Sequence, residues 1–524
     1  MALSPGDPHS FSRPEFARVT NIHLELYVDF YRTILKGKAI LTIEKKKHSI
    51  TEIILDNYAL VIKRVTNPVT EAFLEYSIGH QHIVGSSFTV QLPKTEEEYS
   101  DFKPTCKIQI EYETSPDSPA LYWLTPAQTA DGTHPFLLSN NKLTFARAVF
   151  PCQDTPSVKF SYTATIIVPK DFTVVMSALS QNVFKNSKQV ASYAVIIAVG
   201  SLQKKHLSIR SNVFAEKKFI NEAVYTFRTG VIEKMLDTAE DLCGSYFWDR
   251  YDICVLPPCL GHFEIECPCI TFFSSNLLYG DDCSISSLAL NIAQSWAGHL
   301  VTCTNYNHFW LHKSFSMFVG RKIICKIWTL NETQLFYKKL SYLDLNRMID
   351  ISSETNSLKN LVPDLTGLLP INFIRHVPYE LGCMFLDNLE TNLGGSLIFE
   401  EFLKSYFYNF AYKSIKTDDW KEYLNKYFAK IVNKKIDLKL IMENIFHRFL
   451  WLLLCIKVHW HEKILEALDF VVQFCSSHYA WHIFNYILEL PEYHSTLSEI
   501  FKKNQEKMLS YTRNKLTPIL FSKH

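Results

Sequence analysis

Metal and acid–base chemistry needs histidines, carboxylates or thiols at set spacings, and this 524-residue chain offers few such sets. Two imidazoles one helical turn apart share a face, so His at i and i+4 is the first pattern to seek. His478 and His482 have that spacing without a Glu after the first His, and His461-Glu462 opens a His-Glu pair only for Leu465 to stand where a second His belongs. His299, His308 and His312 lie in or beside two apolar segments and read as capping or surface histidines at loop and helix ends. Cys259, Cys267, Cys269 and Cys283 are neighbours in sequence but lack C-x-x-C spacing, which argues for separate thiols rather than a structural zinc.

The elements that must position chemistry are clearest at 284–326. Leu288, Ile292 and Trp296 recur at helical spacing, and after the polar turn CTNYN come Phe309, Phe315 to Phe318 and Ile323 to Ile324. This predicts two buried helices facing each other. Upstream, runs such as IHLELYVDFY, AILTIEK, CKIQIEYET and FSYTATIIV alternate apolar and polar residues between turn clusters, which predicts a β saddle or sandwich over 16–211. Residues 1–15, rich in Pro, Ser and Gly, read as a flexible arm. Periodicity changes near 211: 217–245 reads as helix, 251–256 and 269–274 as strands, and 332–348 and 378–413 as helical. After Pro378 only Pro491 and Pro518 remain, and 419–514 is a succession of amphipathic helices. The fold class is therefore multidomain α+β, divided as 1–15, 16–211, 212–430 and a helical 431–524.

Composition narrows the function classes. Apolar content of 47% and charged content of 20% suit large buried cores, and a net charge of +1 gives no field to attract nucleic acid or an anionic membrane. The start of the chain lacks the apolar core of a signal peptide, and the run from Phe449 to Val458 is too short to span a bilayer. Thirteen scattered cysteines fit reduced thiols in the cytoplasm.

WLTPAQT at 123–129, FPCQDTPSVKFSYTA at 150–164, YDICVLPP at 251–258, HFWL at 308–311, VPYE at 377–380 and YKSIKTDDWKEYL at 412–424 follow one another in an order that resembles leukotriene A(4) hydrolase-like members of the gluzincin zinc aminopeptidase family. The resemblance implies a β saddle, a thermolysin-like domain and a helical C-terminal domain. It fails at about 430–445, where a helical segment of the family is missing and the C-terminal domain is shortened.

That family works through H-E-x-x-H on one helix and a Glu on the next, with the motif's own Glu taking a proton from metal-bound water. Aligned through Ser295-Trp296 and HFWL, the first His falls on Leu290, the base on Asn291, the second His on Gln294 and the last Glu on Lys313. Its amine-binding G-G-M-E-N loop falls on Phe263 to Cys267, leaving Glu266 as an amine anchor or an ion-paired carboxylate. Tyr379 matches the family's donor to a developing oxyanion, with core packing as the other reading. Arg448 matches a residue that holds a substrate carboxylate, with Leu450 in place of its basic neighbour and a structural Arg as the alternative. If Lys313 enters the former metal cavity, its ammonium replaces the cation and needs a carboxylate, Glu266 being the first candidate.

The resemblance with these replacements implies a catalytically inactive homologue with no cofactor, where the family uses zinc, retaining a cleft for a peptide or small lipid acid. The alternatives are an active zinc metalloaminopeptidase and epoxide hydrolase with improvised ligands, a non-catalytic interaction scaffold, and a decaying gene copy.

Overall fold

Strand Ala17–Asp29 buries Val19, Ile22, Leu24, Leu26 and Val28, and its alternation is interrupted by a bulge between Val19 and Asn21. It pairs antiparallel with Ile34–Lys45 and parallel with Lys159–Ile167, at the centre of a seven-stranded sheet. A four-stranded sheet of Thr173–Met176, Ile197–Gly200, Phe136–Ser139 and Leu121–Leu124 follows, and a three-stranded one contains Glu52–Asn57. Another four-stranded sheet joins Leu202–Ser208, Ser211–Glu216, Asp252–Leu256 and Ile270–Ser274, the last three parallel. DICVL and ITFFS are almost wholly buried, as parallel strands covered on both faces require.

The computed structural model describes residues 3–93, 104–180, 183–227, 230–261, 265, 267–278, 282–328, 361–373, 377–432, 452–453, 456, 461–473, 479–508 and 510–521. The chain divides into one unit of residues 1–341 and 357–424 and another of 342–356 and 425–524. In the second unit, Ile464, Phe470, Ile483, Phe484, Leu497 and Phe501 form a core among short helices such as His461–Gln473 and His494–Asn504.

The first unit corrects three expectations. Residues 217–245 form not one helix but two, α1 (Ile220–Thr226) and α2 (Val231–Cys243), after strand Ser211–Glu216 ends. The 378–413 pattern likewise divides into α5 (Val377–Asn392) and α6 (Ser396–Asn409), because Gly394 and Gly395 have φ of +105° and +83°. The chain between α2 and α5 carries α3 (Asp282–Gln294) and α4 (Trp310–Trp328), and α7 (Thr417–Val432) follows α6. The helical pattern at 332–348 lies outside the described residues.

The third correction concerns the N-terminal arm, which is packed. Asp7, His9, Ser10 and Ser12 are buried. Arg147, fully buried, donates to the carbonyls of His9, Val84 and Asp154 and pairs with the Asp154 carboxylate at 2.9 Å. Ser10 donates to Asp56 at 2.6 Å, and Thr155 to Asp7 at 2.6 Å. Burial raises the Asp56 carboxyl above its usual range against the pull of Arg147. A Pro- and Ser-rich segment is thus ordered by long-range polar contacts that its own periodicity cannot show. Among the described residues no helix is long and apolar enough to cross a membrane.

Candidate functional site

Helices α3 and α4 pack against each other, with Leu288, Ile292, Ile323 and Ile324 buried, while Phe315 of α4 meets Tyr406 of α6 and Trp420 of α7 and Phe318 meets Phe399 of α6. Gly320 sets how closely: a Cβ there would lie 3.1 Å from the Leu290 Cα, so any side chain would force the two backbones apart. On α4, Arg321 forms a bidentate pair with Glu380 of α5, with Nη2–Oε1 at 2.7 Å and Nη1–Oε2 at 3.1 Å. Burial works against the Arg321 charge, but Cys383 and Glu380 more than offset it and hold the guanidinium above its ordinary value. This pair anchors the start of α5, where Tyr379 precedes Glu380.

Between α3, α4 and strand Ile270–Ser274 lies a cavity of about 150 Å³. Leu290, Asn291, Gln294 and Lys313 all line it, with Phe272 and Phe273 as its apolar wall. The structure therefore brings together the four positions that the sequence places in the family's reaction centre. Lys313 is 2% exposed, and its Nζ lies 5.4 Å from the Tyr379 ring centroid and 5.9 Å from that of Phe309. Cation–π attraction to two rings is one physical reason a buried ammonium is tolerated here. Asn291 donates from Nδ2 to the Ser287 carbonyl at 2.9 Å, which ties its amide to its own helix. Gln294 is 3% exposed, and its Oε1 has no hydrogen-bond partner among the described residues. Tyr379 is buried in a cluster with Leu143, Cys303, Tyr306 and Phe309. Glu266, the expected partner of Lys313, and Arg448 lie outside the described residues.

Two of the three histidines depart from expectation. His299 and His312 are each 1% exposed, not at the surface; Tyr193 lies 5.6 Å from the first and 6.1 Å from the second, centroid to centroid. Helical periodicity would have placed His312 inward, being three residues after Phe309 and three before Phe315, but its polarity suggested otherwise. His308 is half-buried and hydrogen-bonds Thr417 Oγ1 at 2.9 Å, and its burial lowers its pKa. Trp310 Nε1 donates to the same Thr417 oxygen at 2.9 Å, so the HFWL and KTDDW segments meet at the start of α7. Lys159, which sequence reasoning passed over, is buried and donates to the carbonyls of His299, Leu300 and Lys413 at 3.0–3.2 Å. Burial lowers its pKa to about 7. Cys259 is exposed whereas Cys267 and Cys269 are buried, and the Cys283 side chain lies outside the described residues.

Residues 18–195 match the Peptidase M1 N-terminal domain and residues 227–444 the Peptidase family M1 domain. Leukotriene A-4 hydrolase of Xenopus laevis is 35% identical over 449 residues, covering 83% of this chain and 72% of that protein. Aminopeptidase B of Homo sapiens is 36% identical over 337 residues, covering 62% of this chain and 50% of that one, so the chain spans half its length. Among solved structures, leukotriene A4 hydrolase from Saccharomyces cerevisiae shares the fold, with a TM-score of 0.76, 22% identity and coverage of 98% and 97%. An M1 zinc metallopeptidase from Deinococcus radiodurans has a TM-score of 0.63, 17% identity and coverage of 81% and 94%.

These likenesses correct the expectation of no cofactor: zinc is the cofactor of this peptidase family, and a relative of this fold is solved as a zinc metallopeptidase. Donor chemistry at the matching positions of this chain does not fit that ion, because Leu290 offers no donor, Gln294 only an amide and Lys313 an ammonium. Among the described residues no three His, Cys, Asp or Glu side chains cluster as ligands. The two domain matches, with 35% identity across most of the frog hydrolase, show that the chain belongs to peptidase family M1.

Proposed function

We propose that this chain is a catalytically silent member of its family that binds a peptide or small lipid acid in the residual cleft. The observation that carries the reading is Asn291, whose amide is tied to the Ser287 carbonyl and cannot accept a proton from water as a carboxylate base does. Tyr379 matches the family's oxyanion donor, and with Asn291 at the matching base position a donor alone leaves most of a hydrolytic barrier in place. A cytoplasmic location belongs to the same reading, supported by free thiols at the described cysteines.

The rival reading is an active aminopeptidase or epoxide hydrolase; two relatives carry the names leukotriene A-4 hydrolase and aminopeptidase B. The deciding experiment is hydrolysis of arginyl and alanyl peptide substrates by the full chain with zinc supplied. No turnover above background is the expected result; turnover abolished by a chelator would overturn the proposal.

A further inference from the structure

Lys159, at the start of strand Lys159–Ile167, is 1% exposed, yet each proton of its ammonium has an acceptor. Its Nζ donates to the carbonyls of His299 and Leu300, each at 3.0 Å, in the loop after α3, and to that of Lys413 at 3.2 Å, in the loop after α6. The two loops are also joined directly. Tyr412 N donates to the Leu300 carbonyl at 2.8 Å, Thr302 N to the Lys413 carbonyl at 3.1 Å, and Thr304 N to that of Ile415 at 2.9 Å. Ser414 Oγ donates to the Pro156 carbonyl at 2.7 Å. Tyr412 is held at a φ of +62°, a left-handed conformation that costs a non-glycine residue and so marks a loop kept in place by its contacts.

A neutral amine cannot serve this cage of three carbonyls in the same way. It has two N–H groups and a lone pair, and a lone pair facing a carbonyl oxygen repels it. The carbonyls of Leu300 and Lys413 each accept a second N–H, so either can lose the lysine without being left bare, and the Lys413 contact is the longest of the three. We propose that Lys159 is a pH-sensitive clasp, holding both loops against its strand when protonated and releasing the Lys413 carbonyl when neutral. Burial is the main cause of its lowered pKa of about 7; the Arg18 guanidinium on strand Ala17–Asp29 acts in the same direction, and Cys303 opposes both. The titratable groups beside the contacted carbonyls are the His299 imidazole, packed against Tyr193, the Tyr412 phenol, whose pKa burial raises, and the Lys413 amine, which donates to the Asn409 carbonyl at 2.9 Å. The released form has shed a proton, so rising pH populates it. The clasp is independent of whether the chain turns over a substrate.

The test is hydrogen exchange of the full-length protein between pH 6 and 9, read by mass spectrometry on peptides spanning 298–304 and 410–416 and corrected for the intrinsic pH dependence of exchange. Protection of the Thr302 and Thr304 amides should fall about five-fold as pH rises from 6 to 8.5, the scale of one net hydrogen bond. Peptides from the paired strands Ala17–Asp29 and Ile34–Lys45 should show no such fall. Whole-chain stability should instead rise over the same range, because the unfolded chain keeps the Lys159 proton to higher pH. These opposite signs separate the clasp from a general loosening. Lys159→Met should show low protection in both loops at every pH and no step, which excludes the His299 imidazole as its source. Lys159→Arg, whose charge persists throughout the range, should keep the loops protected. The wild-type profile needs no variant to fold. Constant or rising protection of the two loops in the wild type, or a step of the same size in Lys159→Met, would each overturn the proposal.

Discussion

The Lys313 ammonium faces the Tyr379 ring at 5.4 Å, across the gap between α4 and α5. A position that the family resemblance assigns to a metal-binding carboxylate thus holds a cation against a position it assigns to an oxyanion donor. If the ring stabilises the charge, a double-mutant cycle of Lys313→Met and Tyr379→Leu should give a coupling of about 1–2 kcal/mol. Urea unfolding of the two single variants and the double variant measures it. Strict additivity would show that the two merely pack side by side.

Restoring donor chemistry is the complementary experiment. The quadruple variant Leu290→His, Asn291→Glu, Gln294→His and Lys313→Glu should acquire stoichiometric zinc by metal analysis and measurable aminopeptidase activity. Structural zinc sites supply about 10 kcal/mol or more, so even an imperfect one should register as a raised Tm on zinc addition. Failure to take up zinc would place the divergence in the groups that orient the ligands as well.

Lys159 predicts a pH dependence of stability. Its native pKa of about 7 lies below the ordinary 10.5. Between those values the unfolded chain holds a proton that the native chain has released, so stability should rise with pH across that window. Urea midpoints at pH 7, 8 and 9 should climb in the wild type, and Lys159→Met should flatten the trend.

The buried Arg147 gives a larger effect. Arg147→Met leaves Asp154 and Asp56 without their cation and frees the His9 carbonyl, so a loss of about 3–5 kcal/mol is expected. Limited proteolysis should then cut first within residues 3–12, whereas an unchanged digestion pattern would mean that the arm is held by its other contacts.

What could be read from the sequence divides along physical lines. Strands such as Ala17–Asp29 and the α3–α4 frame were legible because each buries one face, leaving a period in the sequence. The cavity positions were legible through Ser295-Trp296 and HFWL, whose spacing to Leu290, Asn291, Gln294 and Lys313 the helices preserve. The packed arm was not, because Arg147 reaches His9 across 138 positions and no local pattern encodes such a bond. His299 and His312 are hidden for a different reason: an imidazole at a helix or loop end reads as a cap or surface group, whereas here Tyr193 and the surrounding core shelter both rings.

Gly320 gives the last prediction. Gly320→Val should destabilise the chain by about 1–3 kcal/mol and widen the α3–α4 spacing, as thermal denaturation and a crystal structure of the variant can check.

The same glycine bears on how this molecule could have changed. With the two backbones in near contact at Gly320 and Leu290, the main chain sets the spacing of α3 and α4, while side chains such as Phe272 and Phe273 wall the hollow beside them. Such a hollow works like a socket with interchangeable pins: its fittings can be exchanged one at a time while its walls stand. A fixed helix spacing of this kind lets the residues between two helices change their chemistry without moving the helices themselves.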